Sequence, residues 1–148
     1  MDARLPQRLA VALLLAVGGY VHFRIWQNEY RHAPVREMFV ANWVASAVVV
    51  VVLVVLSVRR WGTPRLEGMA VGAGLAISLG SLVAFALSRG PGLPTLHGTF
   101  QEHGLETTAS YLFNLGSAKT ILVTETLAAV LSGALLVQGG GFVPIRKG

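Results

Sequence analysis

The sequence contains no cysteine, which excludes disulfide bonds, thiolate metal sites and cysteine nucleophiles. It also has few charges: 13% of its 148 residues are Asp, Glu, Lys or Arg, whereas an average soluble domain has roughly 25%. These charges are clustered, and four long stretches between them carry almost none. This pattern is typical of membrane spans and argues against a globular domain with a polar surface.

Familiar catalytic motifs are absent as well. The chain lacks a nucleophile elbow, a P-loop, a glycine-rich dinucleotide signature and a zinc-binding helix motif. Any enzymatic activity would therefore depend on polar groups within the apolar stretches, and a role other than catalysis is favoured.

The net charge of +5 could indicate binding to nucleic acid. The basic residues, however, lie at the ends of the apolar stretches, where they orient membrane spans and meet lipid headgroups. No basic segment interleaved with aromatic residues is present. We therefore expect membrane lipid as a partner, and no nucleic acid.

Four apolar stretches reach the roughly 20 residues that a helix needs to cross a bilayer. They comprise residues 9–28, 37–58, 66–88 and 116–138. The second contains VVVVVLVVL, a β-branched run that would indicate a strand in water. In lipid we expect a helix, because every backbone polar group must be paired within its own segment.

The first stretch follows Arg4 and Arg8, as the apolar region of a signal peptide does. A small-residue cleavage site should then follow. The chain instead continues with GGYVHFRIW, which is bulky and aromatic, so we expect a retained helix.

The connections between the stretches predict the topology. RRWGTPR and YRHAPVR are short, and Pro34 prevents the first helix from continuing. Short links imply antiparallel neighbours. The sequence therefore predicts a single transmembrane domain over residues 1–148, an all-α, up-down-up-down four-helix bundle. The third connection, residues 89–115, is long, and we expect a short surface helix or a re-entrant turn at 100–113.

The distribution of Lys and Arg predicts the orientation in the membrane. With the N-terminus inside, seven basic residues lie on the cytoplasmic side: Arg4, Arg8, Arg59, Arg60, Arg65, Arg146 and Lys147. Five lie outside: Arg24, Arg31, Arg36, Arg89 and Lys119. We therefore expect a multi-pass protein of the cell membrane with both termini in the cytoplasm.

Each predicted helix carries one polar residue at a similar depth in the outer leaflet. These residues are His22, Asn42, Ser81 and Glu125. A carboxylate in hydrocarbon costs ~2.5 kcal/mol or more, so Glu125 should face the bundle interior and find a partner, for which His22 is the obvious candidate. The layer could be a structural contact between helices. Alternatively, it could be an outward-facing site for a proton, a cation or a lipid headgroup.

Three other features need an interpretation. His22, Trp26 and Tyr30 recur at four-residue steps on one helical face, which fits an aromatic belt at the interface or a ligand pocket with Trp26 and Tyr30 at its mouth. His97 and His103 on the long loop are weak metal candidates, since their spacing fits no standard motif. A haem held by two histidines needs both of them within the bundle, and only His22 lies deep enough. We therefore expect no cofactor.

The third apolar stretch carries small residues at four-residue spacing. They are Gly68 and Gly72, Gly74 and Ser78, and Gly80 beyond them. Such residues let membrane helices approach closely. The packing could lie within the chain or between protomers.

Residues 22–42 read as H-x3-W-x3-Y-R, followed by Pro34 and MFVAN. This pattern resembles that of small four-helix membrane proteins common in high-GC actinobacteria, a family without an assigned function. Those proteins are similar in length and carry an acidic residue in the last helix, which Glu125 matches. The resemblance implies the fold and no activity. The segment GPGLPTLHGTFQEHGLETT departs from the shorter loop of that family.

Two functional hypotheses follow. The first is an accessory or structural component of a membrane assembly, with a membrane protein or a second copy of the chain as partner. The second is a binding or transport module in which Glu125 changes protonation and His22 and Asn42 shape the site.

Overall fold

The structure is a computed structural model, and it describes residues 4–59, 64–96, 98–100 and 118–138. Within these ranges the chain is almost entirely helical. The helices are α1 (Leu5–Ile25), α2 (Arg36–Arg59), α3 (Pro64–Arg89) and α4 (Ala118–Gln138). A π-helical segment, Trp26–Tyr30, continues α1, and the short strands β1 (Leu93–Thr95) and β2 (Gly98–Phe100) follow α3.

All four helices are long and apolar enough to cross a membrane. Their candidate spans run from 19 to 26 residues, and at ~1.5 Å per residue each covers the ~30 Å of a hydrocarbon core. The helix ends differ from the predicted bounds by a few residues. α1, for example, begins at Leu5 rather than residue 9, because Pro6 is tolerated in a first turn, where backbone N–H groups have no partner within the helix.

The helices are arranged in a ring in chain order. α1 packs against α2 and α4, and α3 packs against the same two helices. At the end where α1 begins, Arg8 Nε donates to Glu67 Oε1 of α3 at 2.7 Å, and Arg4 donates to the backbone carbonyl of Gln138 at 2.7 Å. The N-termini of α1 and α3 therefore share one end with the C-terminus of α4, an up-down-up-down arrangement. We call this the Arg8 end, and the opposite one, where α2 begins, the Arg36 end.

The largest apolar cluster lies towards the Arg8 end. Its buried members are Val11, Ala12, Leu15, Val49, Leu53, Ala70, Val71, Ala128 and Leu135. In the valine-rich α2 the buried positions are Ser46, Val49 and Leu53, spaced three and four residues apart, as a helix requires. Most of the remaining valines are exposed. The β-branched run is therefore a helix with a narrow interior face and a broad apolar outer face.

The long connection opens with a hairpin that we did not predict. Pro94 of β1 pairs with Thr99 of β2, and Thr95 Oγ1 donates to the Gly98 carbonyl at 2.6 Å. Gly92 and Gly98 adopt φ angles of 96° and 117°, which glycine tolerates because it has no Cβ. The surface helix or re-entrant turn expected at 100–113 falls, beyond residue 100, outside the described residues.

Candidate functional site

A carboxyl group lies in the interior of the bundle. Glu125 of α4 is 2% exposed, and His22 of α1 is 7% exposed. Oε1 of Glu125 lies 3.8 Å from Nδ1 of His22. Glu125 follows the first residue of α4 by seven positions, or about 10 Å along the helix axis. The pair is therefore held well inside the Arg36 half of the bundle.

Two consecutive glycines of α1 allow the neighbouring helices to come close. A Cβ at Gly18 would lie 3.1 Å from Glu125 Oε1 and 3.5 Å from Thr124 Oγ1. A Cβ at Gly19 would lie only 2.9 Å from the Cβ of Ser46 on α2. Gly18 thus provides the space for the carboxyl, while Gly19 allows α2 to approach the other side of α1, as small residues do between membrane helices.

The hydrogen bonds of His22 define its state. Nδ1 lies 2.9 Å from the carbonyl oxygen of Gly18, one turn earlier in α1. A carbonyl only accepts, so Nδ1 carries a proton. Nε2 lies 3.2 Å from the hydroxyl of Ser81 on α3. A hydroxyl can donate to a neutral Nε2 or accept from a protonated one, so Ser81 accommodates both forms of the imidazole.

The four residues of the predicted polar layer are not all in contact. His22, Ser81 and Glu125 come together from α1, α3 and α4. Asn42 of α2 is half-buried, and its Oδ1 accepts a long hydrogen bond, 3.5 Å, from Ser46. The contribution of α2 beside the imidazole is the ring of Phe39, whose centroid lies 5.5 Å from that of His22.

Two buried polar atoms at the pair lack a hydrogen-bond partner within the described part of the chain. They are Glu125 Oε2 and Ser78 Oγ, and Ser78 is fully buried. Ser78 of α3 faces the carboxyl closely enough to interact with it, without completing a hydrogen bond. Most buried polar groups in folded proteins are paired, so this layer has unused hydrogen-bonding capacity.

The predicted pocket mouth lies at a separate place. Trp26 helps to line a cavity of about 390 Å³ at the Arg36 end, together with Arg31, His32, Arg36, Glu37 and Val40. Neither His22 nor Glu125 lines this cavity. The side chain of Tyr30 lies outside the described part of the structure.

The metal hypothesis has no support from the described residues. Within the four described ranges, no three His, Asp or Glu side chains converge as metal ligands would. The weak candidates His97 and His103 both lie outside those ranges.

The glycines of α3 divide between two faces. Gly74 and Ser78 point inwards, and a Cβ at Gly74 would lie 3.0 Å from Leu15 of α1. At Gly68, Gly72 and Gly80 a Cβ would meet nothing within 4 Å among the described atoms. The inner pair therefore packs within the chain, and the other three glycines have open space at the surface of α3.

Gly18 and Phe39 were not predicted as site residues, and Ser78 was predicted only as a small packing residue of α3. Gly18 lies one helical turn before His22, and Ser78 lies one turn before Ser81, so helical spacing from the named polar residues could have identified both. Phe39 carries no such signal, because an apolar ring in an apolar helix does not stand out.

No protein-family model matches the chain, and searches of curated proteins and of solved structures find no match either. The resemblance to the actinobacterial membrane proteins therefore stays a prediction, and the functional argument depends on the geometry alone.

Proposed function

We propose that this chain is a four-span integral membrane protein whose Glu125–His22 pair binds and releases a proton. The observation that carries the proposal is the unpaired Oε2 of Glu125, a fully buried carboxyl beside an imidazole. A purely structural polar layer gains most when every member is paired, since a half-satisfied network is worse than an apolar core. Ionisable residues within membrane spans are by default candidates for function.

A membrane location is supported by the outer surface of the helices. Large apolar side chains are exposed along α2 and α3, among them Val51, Val55, Met69 and Val83. In water such a surface would favour aggregation, whereas in a bilayer it meets acyl chains.

Among the three ligand classes raised by the sequence, the geometry favours a proton. A bare cation prefers several oxygen ligands, roughly six to eight for calcium. Here the interior offers the Glu125 carboxyl and the Ser78 hydroxyl, with an imidazole that becomes cationic itself on protonation. A lipid headgroup is far too large for a site where the carboxyl is 2% exposed. A proton needs no additional volume, and both Oε2 and Nε2 can hold it.

Access to the pair should be one-sided. The larger apolar cluster fills the bundle between the pair and the Arg8 end. Towards the Arg36 end lies a smaller one, with Val21, Ile25 and Ile121, and His22 is six residues from the end of its candidate span at Asn28. With the orientation expected from the Lys and Arg distribution, the site exchanges protons with the outside. Binding on one side fits a sensor or a proton-coupled binding module better than a channel.

The experiment is an infrared pH titration of the protein in lipid vesicles. We expect a carboxyl band that changes with pH in the wild type and is absent in Glu125→Gln. His22→Gln should retain the band but shift its titration, because the imidazole and the carboxyl interact electrostatically at 3.8 Å. Glu67→Gln, which removes the carboxyl at the Arg8 end, is the matched control and should leave the Glu125 band in place. A Glu125 band that does not change over the accessible pH range would overturn the proposal.

The second candidate is an accessory or structural component of a membrane assembly. Gly68 and Gly72, four residues apart with open space at both, favour it, since small residues at this spacing let a transmembrane helix of another protein approach closely. Under this hypothesis the Glu125 layer only stabilises the bundle.

The two candidates respond differently to substitutions. Gly72→Ile should reduce the mass of the solubilised assembly if α3 binds a partner, while Val51→Ile on the exposed face of α2 should not. If the chain is a proton site alone, both variants should leave the mass and the Glu125 titration unchanged. Analytical ultracentrifugation in mild detergent provides the mass.

A further inference from the structure

A basic cavity lies at the Arg36 end, separate from the Glu125–His22 pair. It has a volume of about 390 Å³ and is lined by Trp26, Arg31, His32, Arg36, Glu37 and Val40. This volume falls within the roughly 300–1,000 Å³ of pockets that hold small ligands. The cavity lies where α1 passes through its π-helical segment into α2, a place where the backbone departs from regular α-helix, as it often does at functional sites.

The charge of the lining favours an anion. Among the described lining residues, two arginines and one glutamate leave a net positive charge before His32 is counted. Arg36 uses Nε to donate to Glu37 Oε1 at 2.5 Å, which engages one of the five N–H donors of its guanidinium. The first turn of the 24-residue α2 adds the positive end of a helix dipole. Guanidinium groups are the side chains best suited to hold phosphate.

The arrangement of Arg31 and Trp26 adds an apolar component. The guanidinium of Arg31 lies 6.0 Å from the centre of the Trp26 ring, a cation–π contact. Trp26 and Val40 supply the apolar part of the lining. The site therefore offers cationic groups beside apolar surface, at the end of two candidate spans, where lipid headgroups lie.

From this combination we propose that the cavity binds the phosphate headgroup of an anionic phospholipid. An inorganic phosphate ion would use the arginines and gain nothing from Trp26 and Val40, whereas a lipid uses both parts. The inference rests on the proposed membrane location and is independent of the proton site. It also holds for either orientation, because both faces of a bilayer carry headgroups.

The test is a lipid titration followed by native mass spectrometry of the detergent-solubilised protein. Phosphatidylglycerol, phosphatidylcholine and inorganic phosphate are titrated separately. We expect phosphatidylglycerol to bind more tightly than zwitterionic phosphatidylcholine, and Arg31→Gln with Arg36→Gln to weaken it by roughly tenfold or more. The double variant Arg24→Gln with Arg89→Gln removes the same charge near this end without touching the lining and should bind as the wild type does.

Two further variants distinguish loss of the headgroup site from misfolding and from loss of the proton site. Glu37→Gln removes the acidic group found among the described lining residues, so it should strengthen phosphatidylglycerol binding, a gain that a damaged protein would not show. Glu125→Gln should leave lipid binding unchanged, so failure of the headgroup site and failure of the proton site are separable. Equal binding of both lipids, or no effect of the Arg31 and Arg36 changes, overturns the proposal. Inorganic phosphate that binds as tightly as phosphatidylglycerol and displaces it would also overturn the assignment to lipid.

Discussion

If Glu125 serves as a proton site, its carboxyl contributes little to stability. Replacing it with leucine removes the 3.8 Å interaction with His22, and polar contacts between membrane helices average ~0.6 kcal/mol with a maximum near ~1.7. The same change removes a buried oxygen that has no partner, and such a group costs about 1–3 kcal/mol. We therefore expect Glu125→Leu to raise the free energy of unfolding by roughly 0–2 kcal/mol.

The partner substitution should have the opposite sign. His22→Leu removes the hydrogen bonds to the Gly18 carbonyl and to Ser81, each worth about 0.5–1.5 kcal/mol. It also leaves the buried carboxyl without its neighbour. We expect a loss of about 1–3 kcal/mol in the free energy of unfolding.

The assay is reversible unfolding in mixed micelles, with helicity followed by circular dichroism. Thr126→Leu is the matched control on α4, because Thr126 is exposed beside Glu125 and should stay within about 0.5 kcal/mol of the wild type. A loss of more than about 2 kcal/mol in Glu125→Leu would contradict this expectation, since the carboxyl would then hold the bundle together.

Three further expectations concern packing, the Arg8 end and orientation. Gly19→Ala should lower the free energy of unfolding by about 0–2 kcal/mol, because a Cβ there lies 2.9 Å from Ser46 and overpacking exceeds the helix-propensity gain. A Cβ at Gly72 meets open space, so Gly72→Ala should raise the free energy of unfolding by up to about 1 kcal/mol. Equal effects of Gly19→Ala and Gly72→Ala in the same unfolding assay would contradict the packing described. Arg8→Gln removes the ion pair with Glu67 and should lower the free energy of unfolding by about 1 kcal/mol or less. Because salt screens the pair, the loss should be smaller when the unfolding assay is repeated at high salt. Finally, the chain has no cysteine, so Leu66→Cys and Pro91→Cys each introduce a single thiol whose labelling shows the side of the membrane it faces. In intact cells an impermeant maleimide should label only Pro91→Cys. The reverse pattern would invert the expected orientation.

Apolar length was enough to predict the four helices. The β-branched run of α2 is a useful case, because local propensity alone indicates a strand while its length and the need to pair backbone groups indicate a helix. The ends were less predictable. The π-helical turn at Trp26–Tyr30 and the hairpin at residues 93–100 depend on local backbone geometry. Glycine and proline indicate that a turn is present but do not determine its geometry.

The site was predictable to the extent that depth along a helix is predictable. Counting residues from the helix ends brought His22, Ser81 and Glu125 to one level, and these three are neighbours in the structure. Counting could not determine rotation about the helix axis. For that reason Asn42 was expected at the same centre, where α2 instead brings the ring of Phe39 to His22.

Proton exchange at Glu125 can be measured as proton uptake by the reconstituted protein after a pH jump applied outside sealed vesicles. We expect uptake by the wild type, by the Arg31 and Arg36 variants and by Glu67→Gln, and no uptake by Glu125→Gln. Uptake by Glu125→Gln equal to that of the wild type would mean that the interior carboxyl exchanges no proton, and the proposed function would be wrong.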